Sequence, residues 1–297
     1  MVLRNDVLVL CIPEAIVLGA PGTHSCEVLV GEGAAINGVD DLGDLAMAGF
    51  DIDGNLLVVA INRGDHISRL IKIDEQGGSQ FHPEHLARPL DFCFAGDGAM
   101  YVLDTGGTRI QRIKDGNVVV VASSHGSEGD LTKLRAVSIC ALGDEAVCIA
   151  DAWNHRVLKF GLGVENAEVI AGGIGKGGGI HQLRFPWSLA PGTDGSIFVA
   201  DARNHRVMQW RPSAQSGTVV AGGNGRGTSS HQLDHPMHIA IDSIGSIYVL
   251  DCPDWVDGVG WTWDHCTRIT RWGPPPKLEL ERMDGNMWKK TKRSKPS

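Results

Sequence analysis

The 297-residue sequence contains no apolar run long enough to cross a membrane, no Cys-x-x-Cys pair and no sustained helical periodicity. The first absence excludes a spanning helix. The stretches VLVLC and AIVLG near the start are split by Pro13 and Glu14, and Asp6 stands where a secretory leader would be basic, so they read as strands. The second absence excludes the usual zinc spacings and a dense disulfide framework. Seven cysteines (Cys11, Cys26, Cys93, Cys140, Cys148, Cys252 and Cys266) are odd in number and scattered. Those in AVCIA and DFCFA sit in apolar runs, where cysteine acts as a small buried hydrophobe. A reducing, intracellular and cytoplasmic setting is therefore expected. Net positive charge is lacking as well: the formal charge is -8, which speaks against a nucleic-acid binder that depends on neutralising phosphates. Neither a Gly-Lys-Ser/Thr loop nor a Gly-x-Ser-x-Gly elbow occurs.

Turn formers, by contrast, are abundant. There are 39 Gly and 13 Pro beside 42% apolar and 21% charged residues, a balance that suits many short strands joined by tight turns. The strands are organised by a repeat. IADAWNHRV at 149–157 returns as VADARNHRV at 199–207. Ala171-Gly172-Gly173 returns as Ala221-Gly222-Gly223, His181-Gln182-Leu183 as His231-Gln232-Leu233, and Pro186 as Pro236. Weaker markers extend the register: Asp53-Gly54, Asp97-Gly98, Asp144-Glu145, Asp194-Gly195 and Ile244-Gly245 each stand between two short apolar segments, with Asn5-Asp6 as a sixth marker.

One unit reads as four strands: LRFPWSLAP, SIFVAD after the turn Gly192-Thr193-Asp194-Gly195, RVMQW after ARNH, and GTVVAGG after a polar loop. A small sheet of this kind cannot bury both faces alone, whereas radial stacking of several such sheets buries both and leaves short edges. The fold expected is all-β: a six-bladed β-propeller of four-stranded antiparallel blades over residues 1–276, with incomplete first and last blades. The inner strand of the first blade is not evident. Residues 277–288, with KLELERM, form a candidate closing strand, and 289–297, with five basic residues in nine, a disordered basic tail.

IADAWNHRVLKF and VADARNHRVMQW, each followed by an AGG loop and a Pro-containing strand, resemble NHL repeats, and the resemblance extends over nearly residues 1–275. It implies an interaction platform, of a kind found alone or joined to ubiquitin-ligase or RNA-regulating modules; related six-bladed propellers include lyases and lactonases. The amidating lyases would need histidine next to the inner-strand proline. The residues there are Leu90, Val137, Trp187 and Met237, which cannot hold zinc, and His238 one place on is expected to face the other way. The inner strands offer mainly Ala, Leu, Ile and Ser, a poor calcium set. No catalytic residue, metal or cofactor is expected; the alternative is a metal-dependent lyase or lactonase-like enzyme with a site in the central channel.

Asp104–Arg109, Asp151–Arg156 and Asp201–Arg206 share one spacing, with the acid closing one strand and the base opening the next. A device repeated in every blade is expected to brace the connection through a bidentate pair rather than to act as a site. GGIGKGGGIHQL contains Gly-x-Gly-x-x-Gly, but a Pro-containing strand follows it instead of a helix, so no phosphate site is expected; the glycines supply positive φ, and Lys176 and Arg226 are expected in solvent at equivalent places.

The sixth unit departs from the pattern. After Asp251 the chain inserts CPDWVDGVGWTWDHCT before Arg268. This segment carries Trp255, Trp261 and Trp263 with Asp254, Asp257, Asp264 and His265. Cys252 and Cys266 flank it and would bridge only in an oxidising compartment. Two readings stand side by side: a binding loop, since exposed tryptophans favour interface hot spots and sugar stacking, or a flap that seals the propeller's own surface. The expected ligand face comprises Trp255, Trp261, Trp263, Asp257, His265, Lys176, Arg226 and Trp187. A protein or peptide is the expected partner and carbohydrate a further one; nucleic acid and a membrane are not.

Overall fold

The computed structural model describes the strands within residues 2–80, residues 86–104, 109–123, 136–164, 166–242, 245–252 and 268–273, and strands at 280–283 and 287–290. The protein is all-β, in antiparallel sheets of consecutive strands. The first sheet holds β1 (Val2–Arg4), β2 (Val7–Ile12), β3 (Ala15–Gly19) and β4 (Cys26–Gly31), and the second β5 (Asp44–Phe50), β6 (Leu56–Ile61), β7 (Ser68–Ile73) and β8 (Ser79–Gln80). The third holds β9 (Pro89–Phe94), β10 (Met100–Asp104), β11 (Arg109–Lys114) and β12 (Asn117–Ser123). The fourth holds β13 (Ala136–Ala141), β14 (Ala146–Asp151), β15 (Arg156–Gly161) and β16 (Glu168–Gly172). The fifth is β17 (Pro186–Pro191), β18 (Ile197–Asp201), β19 (Arg206–Trp210) and β20 (Thr218–Gly222). Among the described residues the sixth has three strands, β21 (Pro236–Ile241), β22 (Ile247–Asp251) and β23 (Arg268–Trp272).

Two expectations about the ends change. The first sheet does open with its own first strand, the three-residue β1, paired Val2 to Val9. The segment expected to close a ring, β24 (Leu280–Met283), pairs instead with β25 (Met287–Lys290), which also takes Lys289 and Lys290 out of the expected tail. A partner a few residues away closes a far shorter loop than one at the opposite end of the chain.

The turn between the first two strands of a unit follows from its Asp-x-x residues. Asp97 Oδ1 accepts from Ala99 N, Asp194 Oδ1 from Ser196 N and Asp242 Oδ1 from Ser246 N, at 3.0, 3.0 and 2.7 Å. These carboxylates stand in for backbone acceptors that the tight turn lacks. Second strands are apolar on both faces because a sheet lies on each side: β10 and β22 are buried at every residue.

The core is accordingly divided into slabs between neighbouring sheets. Leu57, Val59 and Leu70 meet Phe92, Met100 and Val102; Tyr101, Leu103 and Ile110 meet Ile139, Val147 and Ile149. Farther on, Cys148, Val157 and Leu183 meet Leu189, Val199 and Trp210, and Ala200, Val207 and Leu233 meet Ile239 and Val249. First strands pack in chain order, β5 on β9, β9 on β13, β13 on β17 and β17 on β21, and β1 also lies against β21. Each first strand of the third to sixth sheets bulges at its second residue. Pro186 faces Asp201 and Ser188 faces Ala200, leaving Trp187 as the extra residue, and the same shift occurs at Leu90, Val137 and Met237.

Candidate functional site

The face at the ends of the second strands is built by a repeated clamp. Asp151 and Asp201 end β14 and β18, one turn of 3-10 helix follows, and His155 and His205 leave it in the left-handed region (φ 57° and 52°). The carboxylates are fully buried, as are Asp104 and Asp251. One oxygen takes a backbone N–H from the approaching crossover: Arg88 N to Asp104 at 2.6 Å, Arg184 N to Asp201 at 2.6 Å and Asp234 N to Asp251 at 2.7 Å. The other takes an arginine Nε: Arg109, Arg156, Arg206 and Arg268 pair with Asp104, Asp151, Asp201 and Asp251.

At Asp201 the pair is not the parallel fork expected from sequence. In Arg206 the terminal nitrogens turn away from Asp201 and donate to Gly178 O, Gly179 O and Gln182 O at 2.8, 2.9 and 3.0 Å. The arginine thus ties the strand to the crossover, whose carbonyls would otherwise be left unmet. Burial pushes the Asp201 carboxyl up to about 6 against the lowering effect of the Arg184 amide, Asn204 and Arg206.

Glycine is required where the crossover leaves the fourth strand. Gly172 and Gly222 have φ of 68° and 66°, and a Cβ on either would collide with the carbonyl oxygen of His155 or His205. Lys176 lies exposed in the crossover, as expected. Arg226 is also exposed, but its Nε lies 2.9 Å from a carboxylate oxygen of Asp234, so it is committed to an ion pair rather than to solvent alone. Among the described residues its counterpart Lys176 faces no such acid, because Arg184 occupies the position of Asp234.

On this frame the crossover before the fifth sheet carries aromatic groups. His155 Nδ1 accepts from Phe185 N at 3.3 Å, and the two rings meet at 4.9 Å. Trp153, 41% exposed, meets Phe185 at 5.8 Å and Trp187 at 5.9 Å, while the Arg203 guanidinium lies 4.6 Å from the centre of the Phe185 ring. The bulge at Trp187 turns its side chain onto Ala202, Met237 and Cys252, so this row runs to the residue from which the Trp-rich insertion departs. The insertion's Trp255, Trp261, Trp263, Asp257 and His265 lie outside the described residues. Cys252, whose bridging the sequence left open, is disulfide-bonded, whereas Cys93, Cys140 and Cys148 are free.

The next crossover carries titratable groups. His205 Nδ1 accepts from His235 N at 3.2 Å, the two rings stand 4.7 Å apart at 80°, and Asp234 Oδ1 lies 2.7 Å from His235 Nδ1 and 3.7 Å from His205 Nδ1. Sequence reasoning passed over both groups. It weighed His238 singly and missed the set to which it belongs on the first strands: Asp91, Ser138, Ser188 and His238 share one position. Asp91 accepts from Phe92 N and from Ile139 N of the next sheet, each at 2.8 Å, and Ser188 Oγ accepts from Ile239 N of its own next sheet at 3.2 Å. Burial pushes the Asp91 carboxyl up to about 7, partly opposed by those amides and by Ser138. Burial holds the His238 imidazole well below its ordinary range. The spacing Pro-x-polar, present at Asp91, Ser188 and His238, was the available signal.

No helix among the described residues is long and apolar enough to cross a membrane. No curated protein sequence matches the chain. Among solved structures, similarity is found to a nidogen/laminin complex at 14% identity and TM-score 0.59, covering 83% of this chain and 85% of that one. An auxiliary nutrient binding protein from Bacteroides ovatus is similar at 15% identity and TM-score 0.64, over 91% of this chain and 66% of that one. A streptogramin B lyase is similar at 12% identity and TM-score 0.52, over 82% and 75%. Residues 183–210 match the NHL repeat family, so the chain carries an NHL repeat within an all-β fold of stacked antiparallel sheets whose structural neighbours are propeller-like.

Proposed function

We propose that the protein is a non-catalytic binding module, a six-bladed propeller that closes where β1 meets β21 and engages a peptide or protein segment across the crossover face. The observation that carries this reading is the row Trp153, Phe185 and Trp187 with Arg203 over the Phe185 ring, which keeps a large indole 41% exposed on a rigid base. Such groups bind with little loss of side-chain freedom and are the residue types that dominate interface energies. The face continues toward Cys252 and the insertion after it, in line with a ligand spanning Trp187 and the insertion's tryptophans. The similar structures divide between a nidogen/laminin complex and a nutrient binding protein on one side and a lyase on the other. The buried carboxylate of Asp91 favours the binding reading, because amides of two sheets already occupy it in a bracing role.

The test is selection of a displayed random-peptide library on the full chain, followed by calorimetry with the enriched peptides. Peptides that bind the native protein and lose about tenfold or more in affinity to Trp153→Ala support the reading. Failure to enrich any peptide, or binding unchanged in Trp153→Ala and Arg203→Ala, overturns it.

A further inference from the structure

We propose that His205, Asp234 and His235 form a site for a divalent transition-metal ion, zinc by the chemistry of its donors, at the crossover into the sixth sheet. One nitrogen from each histidine and one carboxylate oxygen of Asp234 lie within 4.8 Å of one another. Two imidazoles and a carboxylate are the ligand types that suit zinc, and three protein ligands leave a fourth position for water or for a ligand atom. No metal site is expected from the sequence, because the three residues belong to no recognised spacing and 30 residues separate His205 from His235. The fold brings them together by threading the crossover back against the 3-10 turn.

The sister unit provides the control. The same backbone is present 50 positions earlier, where His155 Nδ1 accepts from Phe185 N just as His205 Nδ1 accepts from His235 N. Even the unusual left-handed φ is kept, 55° at Phe185 and 53° at His235. What the clamp needs is therefore met by Arg184 and Phe185, and bracing alone gives no reason for a carboxylate and a second imidazole in their place. The two changes, Arg184 to Asp234 and Phe185 to His235, are the ones that convert an aromatic contact into a set of metal donors.

The ion would replace the hydrogen bond between Asp234 and His235 and draw on the nitrogens of both rings. Arg226 holds the carboxylate from the solvent side at 2.9 Å, which orients it while adding a positive charge nearby. That charge is expected to weaken cation binding. Cys252 N donates to Asp234 O at 2.9 Å, so the site sits at the foot of the Trp-rich insertion.

The experiment uses the full chain with any affinity tag removed, stripped with chelator and titrated with zinc chloride by calorimetry, with bound metal counted by elemental mass spectrometry. One zinc per chain is expected, and cobalt in its place should give the visible bands of a low-coordinate ion. His235→Phe installs the residue that the sister unit carries at the same φ, so its fold is expected to be kept, as circular dichroism would verify. It and Asp234→Asn, each removing a direct ligand, should weaken zinc binding by at least the roughly 100-fold that is the upper range for losing an outer-shell partner. Absence of stoichiometric binding to the native chain overturns the proposal. Binding that persists unchanged in both variants also overturns it, since the zinc would then be held elsewhere.

Discussion

The crossovers into the fifth and sixth sheets, residues 172–186 and 222–236, are the same backbone carrying different chemistry. Both leave the preceding sheet through a glycine pair of positive φ, both form an isolated parallel bridge (Lys176 to Leu183, Arg226 to Leu233), and both end against a histidine in the left-handed region. Phe185 of the first stands with Trp153 and Trp187 beside it, whereas His235 of the second has Arg203 and Met237 at the matching places. A scaffold held by buried carboxylates and glycines lets these positions vary, from the exposed Trp153 to the buried His235 and Met237, so chemistry can differ from unit to unit while the stack is kept.

The clamp itself is the part that should break hardest. Removing one member of a buried pair leaves the other charged and uncompensated, at about 3–5 kcal/mol. The Arg206 side chain is 7% exposed and that of Arg156 33%. Asp201→Ala is therefore expected to fall in that range, and Asp151→Ala to cost distinctly less because water reaches Arg156. Urea unfolding of both variants checks the order. Equal losses would mean that the carboxylates matter for their backbone contacts and not for the arginines.

Much of this was legible beforehand. The fifty-residue offset gave the sheets, the Asp and Arg spacing gave the ends of β14, β15, β18 and β19, and the AGG strings gave the positive φ at Gly172 and Gly222. What was not legible depends on contacts between units. The guanidinium of Arg206 turns to the carbonyls of a crossover 24 to 28 residues earlier, which no spacing within its own motif signals. The bulge at Trp187, Met237 and their equivalents breaks the strict alternation on which facing arguments rest. His235, between Asp234 and Pro236, was passed over for the tryptophans of the insertion, although the structure sets it against His205.

A second comparison lies on the first strands, where Asp91 holds the position that Ser188 holds two sheets later, each accepting an amide from the next sheet. A serine stays neutral at all relevant pH, whereas Asp91 titrates at about 7 in the folded protein against 3.8 for the ordinary carboxyl. The folded state therefore binds more protons than the unfolded chain between those values, so this residue's contribution falls as pH rises from about 4 to about 7 and is fully unfavourable above that. Asp91→Ser should remove the dependence: its stability relative to the native chain is expected to improve by a few kcal/mol between pH 4.5 and pH 8. Denaturant midpoints at both pH values check this. A difference that stays constant with pH would show that the carboxyl is ionised throughout.

The smallest effect sharpens the comparison most, because it asks whether the ion pair in the sixth-sheet crossover stabilises the fold or only arranges the site. Arg226 is more than half exposed at its side chain while Asp234 is nearly buried, so solvent screens the pair from one side only. A double-mutant cycle with Arg226→Gln and Asp234→Asn is expected to return a coupling of about 0.2–1 kcal/mol, the range of exposed pairs. The sister unit does without the interaction, since Lys176 and Arg184 carry the same sign there. A coupling well above that range would make Asp234 a structural residue in its own right and remove the reason to look for a ligand at its carboxylate.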